Sequence, residues 1–271
     1  MTTTTTTPAT AVHAADGPRR ADLGPVRPVP LSRLVRVEAR KQVDTLAGRW
    51  FLVTIGLVAA LVVGIMLFVD GGNHGLTAFV TGTVMPLSIL LPILGIMTAT
   101  AEWGQRTAMT TFTLEPRRGR VVAAKVISSL VLGALTFAVA VALAALAHGI
   151  AVGARGATAD WEIGGWMLGG SALVLALSLG QGLAFGMALL NTPAAIVAYL
   201  VLPMVWSILT QLISWMRDVA AWLDPSVTLV PLSSGQAPTG EQWAQIGTSM
   251  TLWLVIPMVI GVWRVLHREV K

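Results

Sequence analysis

Five long runs without a charged residue dominate the sequence. They cover residues 50–69, 71–101, 126–154, 163–216 and 242–263, together more than half of the 271 residues. A helix needs about 20 mostly apolar residues to cross a bilayer, and an uncharged run of 18 or more is a candidate span. Charged residues make up only 11% of the chain, against roughly a quarter in soluble domains. This pattern excludes a soluble globular protein, a transmembrane barrel and a disordered chain, and it predicts an all-α membrane protein.

The runs predict six transmembrane helices. The run 163–216 is too long for one crossing, and Asn191-Thr192-Pro193 is the natural place for the chain to reverse direction. Pro86 and Pro92 are expected to interrupt the second span. The six predicted spans are Trp50–Val69, Leu76–Thr100, Val121–His148, Trp166–Leu190, Pro193–Ile213 and Ile246–Leu266.

Two segments precede the first span. Residues 1–30 are rich in Thr, Ala and Pro, and such a composition predicts a disordered tail because it cannot bury enough apolar surface to fold. Residues 31–49 carry apolar side chains at helical spacing with five basic residues and two acidic ones between them. This pattern predicts an amphipathic helix that is too charged to cross and lies in the membrane interface.

The basic residues indicate the orientation of the chain. In the predicted topology, sixteen of the eighteen Lys and Arg fall on one side of the membrane, and only Arg155 and Arg217 fall on the other. The side rich in Lys and Arg is the cytoplasmic side. Both termini are therefore expected to be cytoplasmic, which is consistent with an even number of crossings.

The residues give little indication of an enzyme. The sequence has no phosphate-binding GxxxxGK[ST] loop, no HExxH motif and no cysteine, so we expect no catalytic residue, no metal site and no cofactor in this chain. Ion-coupled transport is disfavoured because no ionisable residue lies near the centre of a predicted span. Lys125, about one turn into the third span, is expected to snorkel to the cytoplasmic face. The basic residues flank spans, and nucleic acid is therefore not an expected partner.

The connection between spans two and three, residues 98–125, is the most informative segment. Glu102 and Arg106 are four residues apart, which favours a charge-paired helical turn at the cytoplasmic edge. Pro116 then breaks the helix before a basic cluster. Two interpretations remain open from spacing alone: a rigid handle for a partner, or an ordinary positively charged cytoplasmic loop.

The same segment resembles a known family. Glu102, Thr107, Leu114, Pro116, Arg118 and the Ala124-Lys125 pair are similar to the E-x(4)-T, L-x-P-x-R and A-K pattern of the permease subunits of ABC-2 type transporters. Arg106 departs from the pattern, since many members carry a small residue there. The resemblance covers roughly residues 31–271, with residues 31–49 as a connecting helix and residues 50–271 as a six-helix transmembrane domain.

The resemblance implies partners and roles for particular residues. It implies two cytosolic ABC ATPase subunits, which bind ATP and Mg²⁺, and a second permease, either a copy or a paralogue. Residues 102–120 would form the coupling loop that seats in the ATPase, and residues 214–245 would form an extracellular connection whose short helix is either a gate or a passive connector. The implied ATPase-coupling residues are Glu102, Arg106, Thr107, Arg117 and Arg118.

The resemblance also implies a substrate path along spans one, two and five. The candidate residues on spans two and five form uncharged faces that carry aromatic and Met side chains, which suit a small hydrophobic or amphiphilic substrate; ordinary helix packing is the alternative for each of them. These residues are Thr81, Met85, Ser88, Tyr199, Trp206 and Thr210.

The resulting hypothesis is a permease subunit in the cytoplasmic membrane of a bacterium. It would export a drug, antibiotic or lipid-like molecule and would contact membrane lipid. The alternatives are a non-transporting scaffold or sensor coupled to an ATPase, and a membrane-embedded enzyme acting on lipid. The enzyme would require polar residues clustered at one membrane depth, and the sequence does not indicate such a cluster.

Overall fold

A computed structural model describes residues 29–69 and 74–269, and these residues form helices and turns without any strand. Six segments are long and apolar enough to span a membrane: Leu46–Phe68, Leu76–Gly104, Arg118–Arg155, Gly165–Leu189, Thr192–Leu212 and Gly240–His267. The predicted number of spans is therefore confirmed in length and composition. The helices are α1 Leu31–Asp44, α2 Leu46–Phe68, α3 Leu76–Gly104, α4 Ala108–Leu114, α5 Arg118–Arg155, α6 Gly165–Leu189, α7 Thr192–Leu212, α8 Ser214–Leu223, α9 Pro225–Thr228, α10 Gly240–Met250 and α11 Ile256–His267.

The N-terminal helix is shorter than predicted. The sequence suggested one helix over residues 31–49, but the backbone is extended at Thr45, and residues 46–49 belong to the first span. The Thr45 hydroxyl accepts a hydrogen bond from the Gly48 amide at 3.2 Å, which caps the start of α2. The predicted disordered tail, residues 1–30, lies outside the described residues except for 29 and 30.

Helices α3 and α6 form the centre of the bundle and share its most extensive contact. Two glycines on α6 allow the close approach: a Cβ atom at Gly182 would lie 2.0 Å from the Pro92 carbonyl oxygen, and one at Gly186 would lie 2.7 Å from the Ala99 Cβ atom. Small residues four apart are a common means of bringing two membrane helices together. The other spans surround this pair.

Prolines do not break the second span. Pro86 and Pro92 were expected to interrupt it, but both lie inside the continuous helix α3. Membrane helices tolerate proline because neighbouring helices and local adjustments compensate for the lost backbone hydrogen bond. The turn predicted at Asn191-Thr192-Pro193 is present: the Asn191 side chain caps α7 through the Ala194 amide at 3.0 Å.

The residues before α1 and the end of α11 both contact the start of α5 at one end of the bundle. Arg118, at the start of α5, donates hydrogen bonds to the carbonyl oxygens of Val265 (3.0 Å) and Arg268 (2.8 Å), and Arg120 donates to the Val29 carbonyl. This arrangement agrees with an even number of crossings. We call the end formed by residues 29–45, 104–120 and 266–269 the α4 end. The opposite end, formed by residues 156–164 and 213–239, is the α8 end.

The last span contains an irregular turn. Residues Thr251–Val255 form a π-helical turn between α10 and α11. Beyond it, Gly261 packs closely on α6, because a Cβ atom there would lie 2.7 Å from the Met187 Cβ atom. Arg264 donates to the Ala188 carbonyl one turn further on.

Candidate functional site

Four ionisable side chains from three helices form a buried cluster at the α4 end. Lys125 Nζ on α5 lies 2.7 Å from Glu102 Oε1 on α3 and 2.8 Å from Glu38 Oε2 on α1. Lys41 Nζ lies 2.6 Å from Glu38 Oε1 and 3.2 Å from Glu102 Oε1. Two ammonium groups thus neutralise two carboxylates. We call these four residues the ionic cluster.

The ionic cluster corrects two expectations. Lys125 does not snorkel to the surface, because it is buried and also donates to the Thr98 carbonyl at 3.2 Å. Glu102 does not pair with Arg106, because helix α3 ends at Gly104 and Arg106 is exposed beyond it. A buried charge needs a partner within hydrogen-bonding distance, and the partners of Glu102 are 23 and 61 residues away along the chain.

Helix α1 contacts the bundle through polar side chains. Besides Glu38, the buried residue Gln42 donates from its amide nitrogen to the hydroxyls of Ser128 (2.9 Å) and Ser129 (3.1 Å) on α5. The apolar residues Leu31, Val37 and Val43 are exposed. The contact between α1 and the spans therefore includes ion pairs and hydrogen bonds, besides the partly buried apolar residues Leu34, Val35 and Ala39.

Lys41 is the half-exposed member of the ionic cluster. Its partial burial by itself would lower the pKa of the ammonium group, but the hydrogen bond and charge of Glu38, together with the charge of Glu102, hold the pKa above its ordinary value of 10.5. Lys41 is therefore a stable cation that closes the solvent side of the cluster.

The ionic cluster forms part of the wall of a cavity of about 710 Å³ between α1, α3, α4 and the start of α5. Thr107 and Leu114, at the two ends of α4, line the cavity too. Helix α4 thus has the cavity on one side, whereas its residue Phe112 packs against the buried apolar cluster that contains Ala99 and Val122. A rigid-body shift of α4 would meet little steric resistance on this side.

The turn between α3 and α4 is tight. Arg106 adopts the left-handed conformation with φ of 57°, and the Thr107 amide donates to the Glu102 carbonyl at 2.9 Å. This hydrogen bond is the long-range bond of a Schellman motif, whose left-handed position usually holds glycine. The turn thereby fixes the direction of α4 relative to α3.

Helix α4 presents an apolar side chain at each end to the outside. Met109 is 56% exposed and Leu114 is 78% exposed. After α4, Arg117 is exposed, whereas the Arg118 guanidinium lies 4.6 Å from the centre of the Phe112 ring and binds the C-terminal carbonyls. Of the five predicted coupling residues, Arg106, Thr107 and Arg117 can contact a partner directly. Glu102 and Arg118 instead fix the position of the element.

The predicted path residues are only partly brought together. Ser88 and Tyr199 line a groove of about 520 Å³ between α3, α6, α7 and the residues after α8. Thr81 and Met85 are exposed on α3 outside this groove. On α7, Trp206 packs against Trp253 with ring centres 6.5 Å apart, and the buried residue Thr210 donates to the Ser207 carbonyl at 2.8 Å.

Sequence reasoning missed the contribution of α6 to this groove. Ser178 and Gln181 line it together with Phe185, although α6 was not expected to line the path. The available signal was two polar residues three positions apart in an apolar span, which share one face of a helix. Trp253 in the last span also lines the groove and was missed.

The connection at the α8 end is helical and attached to the last span. Residues 214–245 were predicted to hold a short helix, and the structure has α8 there. Trp253 Nε1 donates to the Leu223 carbonyl at 2.8 Å, and Thr248 donates to the Trp222 carbonyl at 2.9 Å. In residues 29–69 and 74–269, no three His, Cys, Asp or Glu side chains are grouped as a metal site requires.

Comparison with known proteins does not identify the chain: no protein-family model and no curated protein matches it.

Proposed function

We propose that this chain is the membrane permease subunit of an ABC-2 type exporter. In this proposal two cytosolic ABC ATPase subunits, which bind ATP and Mg²⁺, drive a pair of permeases, and the second permease is a copy or a paralogue of this chain. The α4 end faces the cytoplasm of a bacterial cell, so that both termini are cytoplasmic. The complex moves a small hydrophobic or amphiphilic molecule, such as a drug, an antibiotic or a lipid-like compound, out of the cell.

The observation that carries the proposal is the construction of the α4 end. A short helix with exposed Met109 and Leu114 projects between two spans. It is joined by a tight turn to Glu102, which is ion-paired to both α5 and α1. This arrangement supports the proposal that a movement of a partner bound to α4 is transmitted to three helices at once, because buried ion pairs join those helices to one another.

The mechanism follows from this bracing. A buried ion pair with good geometry resists separation because each charge would lose a partner in a low-dielectric environment. A displacement of α4 by an ATPase would therefore move α3, α5 and α1 together rather than bend one helix. Packed helices of this kind switch between discrete arrangements as rigid bodies, which is what alternating access to a substrate groove requires.

The test uses two leucines that are similarly exposed at the same end of the bundle. Leu114 on α4 is 78% exposed and Leu46 at the start of α2 is 73% exposed. The chain is co-expressed with the ABC ATPase encoded beside it and purified in detergent. We expect Leu114→Ser to reduce the amount of copurified ATPase at least about fivefold, whereas Leu46→Ser leaves it unchanged.

Three other outcomes would change the interpretation. If no ATPase copurifies with the unmodified chain, the permease proposal is wrong. If Leu46→Ser weakens the complex as much as Leu114→Ser does, α4 is not the handle. If the complex hydrolyses ATP but vesicles containing it show no substrate flux, the protein is an ATPase-coupled scaffold or sensor and not a transporter.

A further inference from the structure

The groove between α3, α6 and α7 has an unusual composition for a membrane-spanning region. Its lining contains serine hydroxyls, a glutamine amide and a tyrosine hydroxyl, but no Asp, Glu, Lys, Arg or His side chain. The rest of the lining is apolar and aromatic. The groove thus offers hydrogen bonds without any charge.

Gln181 is the central polar residue of the groove. It is only 6% exposed, and its amide nitrogen has a single acceptor, the Met250 sulfur at 3.7 Å. A thioether is a weak acceptor, and the amide oxygen has no hydrogen-bond partner among the described residues. A ligand that enters the groove can supply the hydrogen bonds that this amide lacks.

Two further groups beside Gln181 also lack partners. Ser178, one turn earlier on α6, and Tyr199 on α7 line the groove, and neither hydroxyl has a hydrogen-bond partner in the part of the chain that the structure describes. Serines in membrane helices commonly donate to a carbonyl of the preceding turn, as Ser88 does at 2.7 Å. Ser178 does not, so its hydroxyl is available to a ligand.

The apolar part of the groove lies next to these groups. Phe185 packs edge-to-face on the Tyr199 ring with centres 6.0 Å apart, and Leu200, Pro203 and Trp253 extend the apolar wall. A volume of about 520 Å³ is within the range of sites that hold small organic ligands. The groove therefore combines one polar patch with one apolar surface.

We propose that this groove binds an uncharged amphiphile. Gln181, Ser178 and Tyr199 hydrogen-bond its polar head, and Phe185, Leu200 and Trp253 contact its apolar body. A charged head group is rejected, because no counter-charge lines the groove and an unpaired ion in a low-dielectric site is strongly disfavoured. The ligand is either a neutral lipid or a neutral small molecule that partitions into the bilayer, and its identification as the exported substrate rests on the proposed function.

The absence of cysteine from the chain allows a direct test with single thiols. Ser88→Cys places one thiol in the groove at a residue that the proposal does not use for binding, and Ser207→Cys is the matched control on α7 outside the groove. Each variant is reconstituted in phosphatidylcholine nanodiscs and treated with N-ethylmaleimide, an uncharged reagent, and the adduct is counted by intact-protein mass spectrometry. The competitors share one oleoyl or oleyl chain: monoolein is neutral, oleate is anionic and oleylamine is cationic.

We expect monoolein to slow the modification of S88C at least about fivefold, with little effect of oleate and oleylamine and none on S207C. Adding Gln181→Met, which keeps the side-chain volume but removes the amide, raises the monoolein concentration needed for half-protection about fivefold or more. A second arm replaces monoolein with Nile red, an uncharged ring compound. Protection by monoolein alone indicates a lipid ligand, and protection by Nile red alone indicates a small molecule.

Several outcomes overturn the proposal. If monoolein, oleate and oleylamine protect the thiol equally, the groove does not discriminate charge. If S207C is protected as well, the effect is not local to the groove. An S88C thiol that stays unmodified in the folded protein without competitor means that solutes cannot enter the groove. The experiment needs no ATPase. If the thiol is protected but no ATPase copurifies, the protein has the ligand site and is not a permease. If a functional ATPase complex forms but the thiol is not protected, the protein is a permease whose ligand site lies elsewhere.

Discussion

Lys125 and Glu102 form an ion pair of 2.7 Å between α5 and α3, and Glu38 on α1 completes the coordination of the same ammonium group at 2.8 Å. Three helices are thus joined at one nitrogen atom. Removing the ammonium group leaves two buried carboxylates with only the half-exposed Lys41 between them.

Lys125→Met should therefore be strongly destabilising. Removing one partner of a buried pair costs about 3–5 kcal/mol, and we expect the apparent Tm in detergent, measured by intrinsic fluorescence, to fall by roughly 6–15 °C. The double variant Lys125→Met/Glu102→Gln restores the charge balance and should recover a substantial part of this loss. A double variant that is less stable than the sum of the two single variants would contradict this account of the ionic cluster.

The two glycines Gly182 and Gly56 provide a second prediction. Gly182→Ala places a methyl group 2.0 Å from the Pro92 carbonyl oxygen, whereas Gly56→Ala meets no atom within 4 Å. We expect Gly182→Ala to lower stability by about 1–3 kcal/mol through overpacking. Gly56→Ala should be neutral or should raise stability by up to about 1 kcal/mol, because alanine favours a helix. Thermal unfolding of the two variants in one detergent makes the comparison, and equal effects would argue against the tight contact of α3 and α6.

The left-handed turn at Arg106 makes a third prediction. Glycine adopts a φ of 57° without strain, whereas a residue with a Cβ atom does not. Arg106→Gly should therefore be more stable than Arg106→Ala by about 0.5–1 kcal/mol, a difference that is measured as the shift of the unfolding midpoint. Both variants remove the same charge, so the comparison isolates the backbone. If Arg106→Ala equals or exceeds Arg106→Gly in stability, the tight turn is not maintained.

The pH dependence of stability tests Lys41. A group whose pKa is raised on folding contributes stability that is complete below its unfolded pKa and is lost as the pH rises through the higher folded value. For Lys41 this loss begins near its ordinary pKa of 10.5 and continues above it. Lys41→Arg keeps the cation at high pH, so its Tm should decline less between pH 10 and 12 than that of the unmodified chain. If the Tm of the Lys41→Arg variant and the Tm of the unmodified chain decline equally, Lys41 does not contribute to stability in this way.

The membrane spans were predictable because they depend on local composition. Uncharged runs and the turn residues around Asn191 are properties of neighbouring residues, and the structure places the six helices within a few residues of the predicted bounds, apart from extended ends on α5 and on the last span. The break at Thr45 was not predicted because a single hydroxyl that caps Gly48 does not interrupt the helical pattern around it.

The site was less predictable because its contacts join distant parts of the chain. Glu102 has an arginine four residues later, and local spacing favoured that pair, but helix α3 ends before Arg106. The lysines that pair with Glu102 come from α1 and α5, and no local rule indicates them. Similarly, Ser178 and Gln181 share one face of an apolar span, but only the packing of α7 places Tyr199 beside the same groove.

The π-helical turn Thr251–Val255 has a consequence for the length of the last span. A π turn contains one residue more than an α turn, and each residue of an α-helix rotates the next side chain by about 100°. Gly261 meets Met187 only because this added residue sets the rotational phase of α11. Deleting one residue from the turn would convert it to a regular helix and direct a different side of α11 towards α6. The number of residues in this span is thus constrained as strictly as their chemistry.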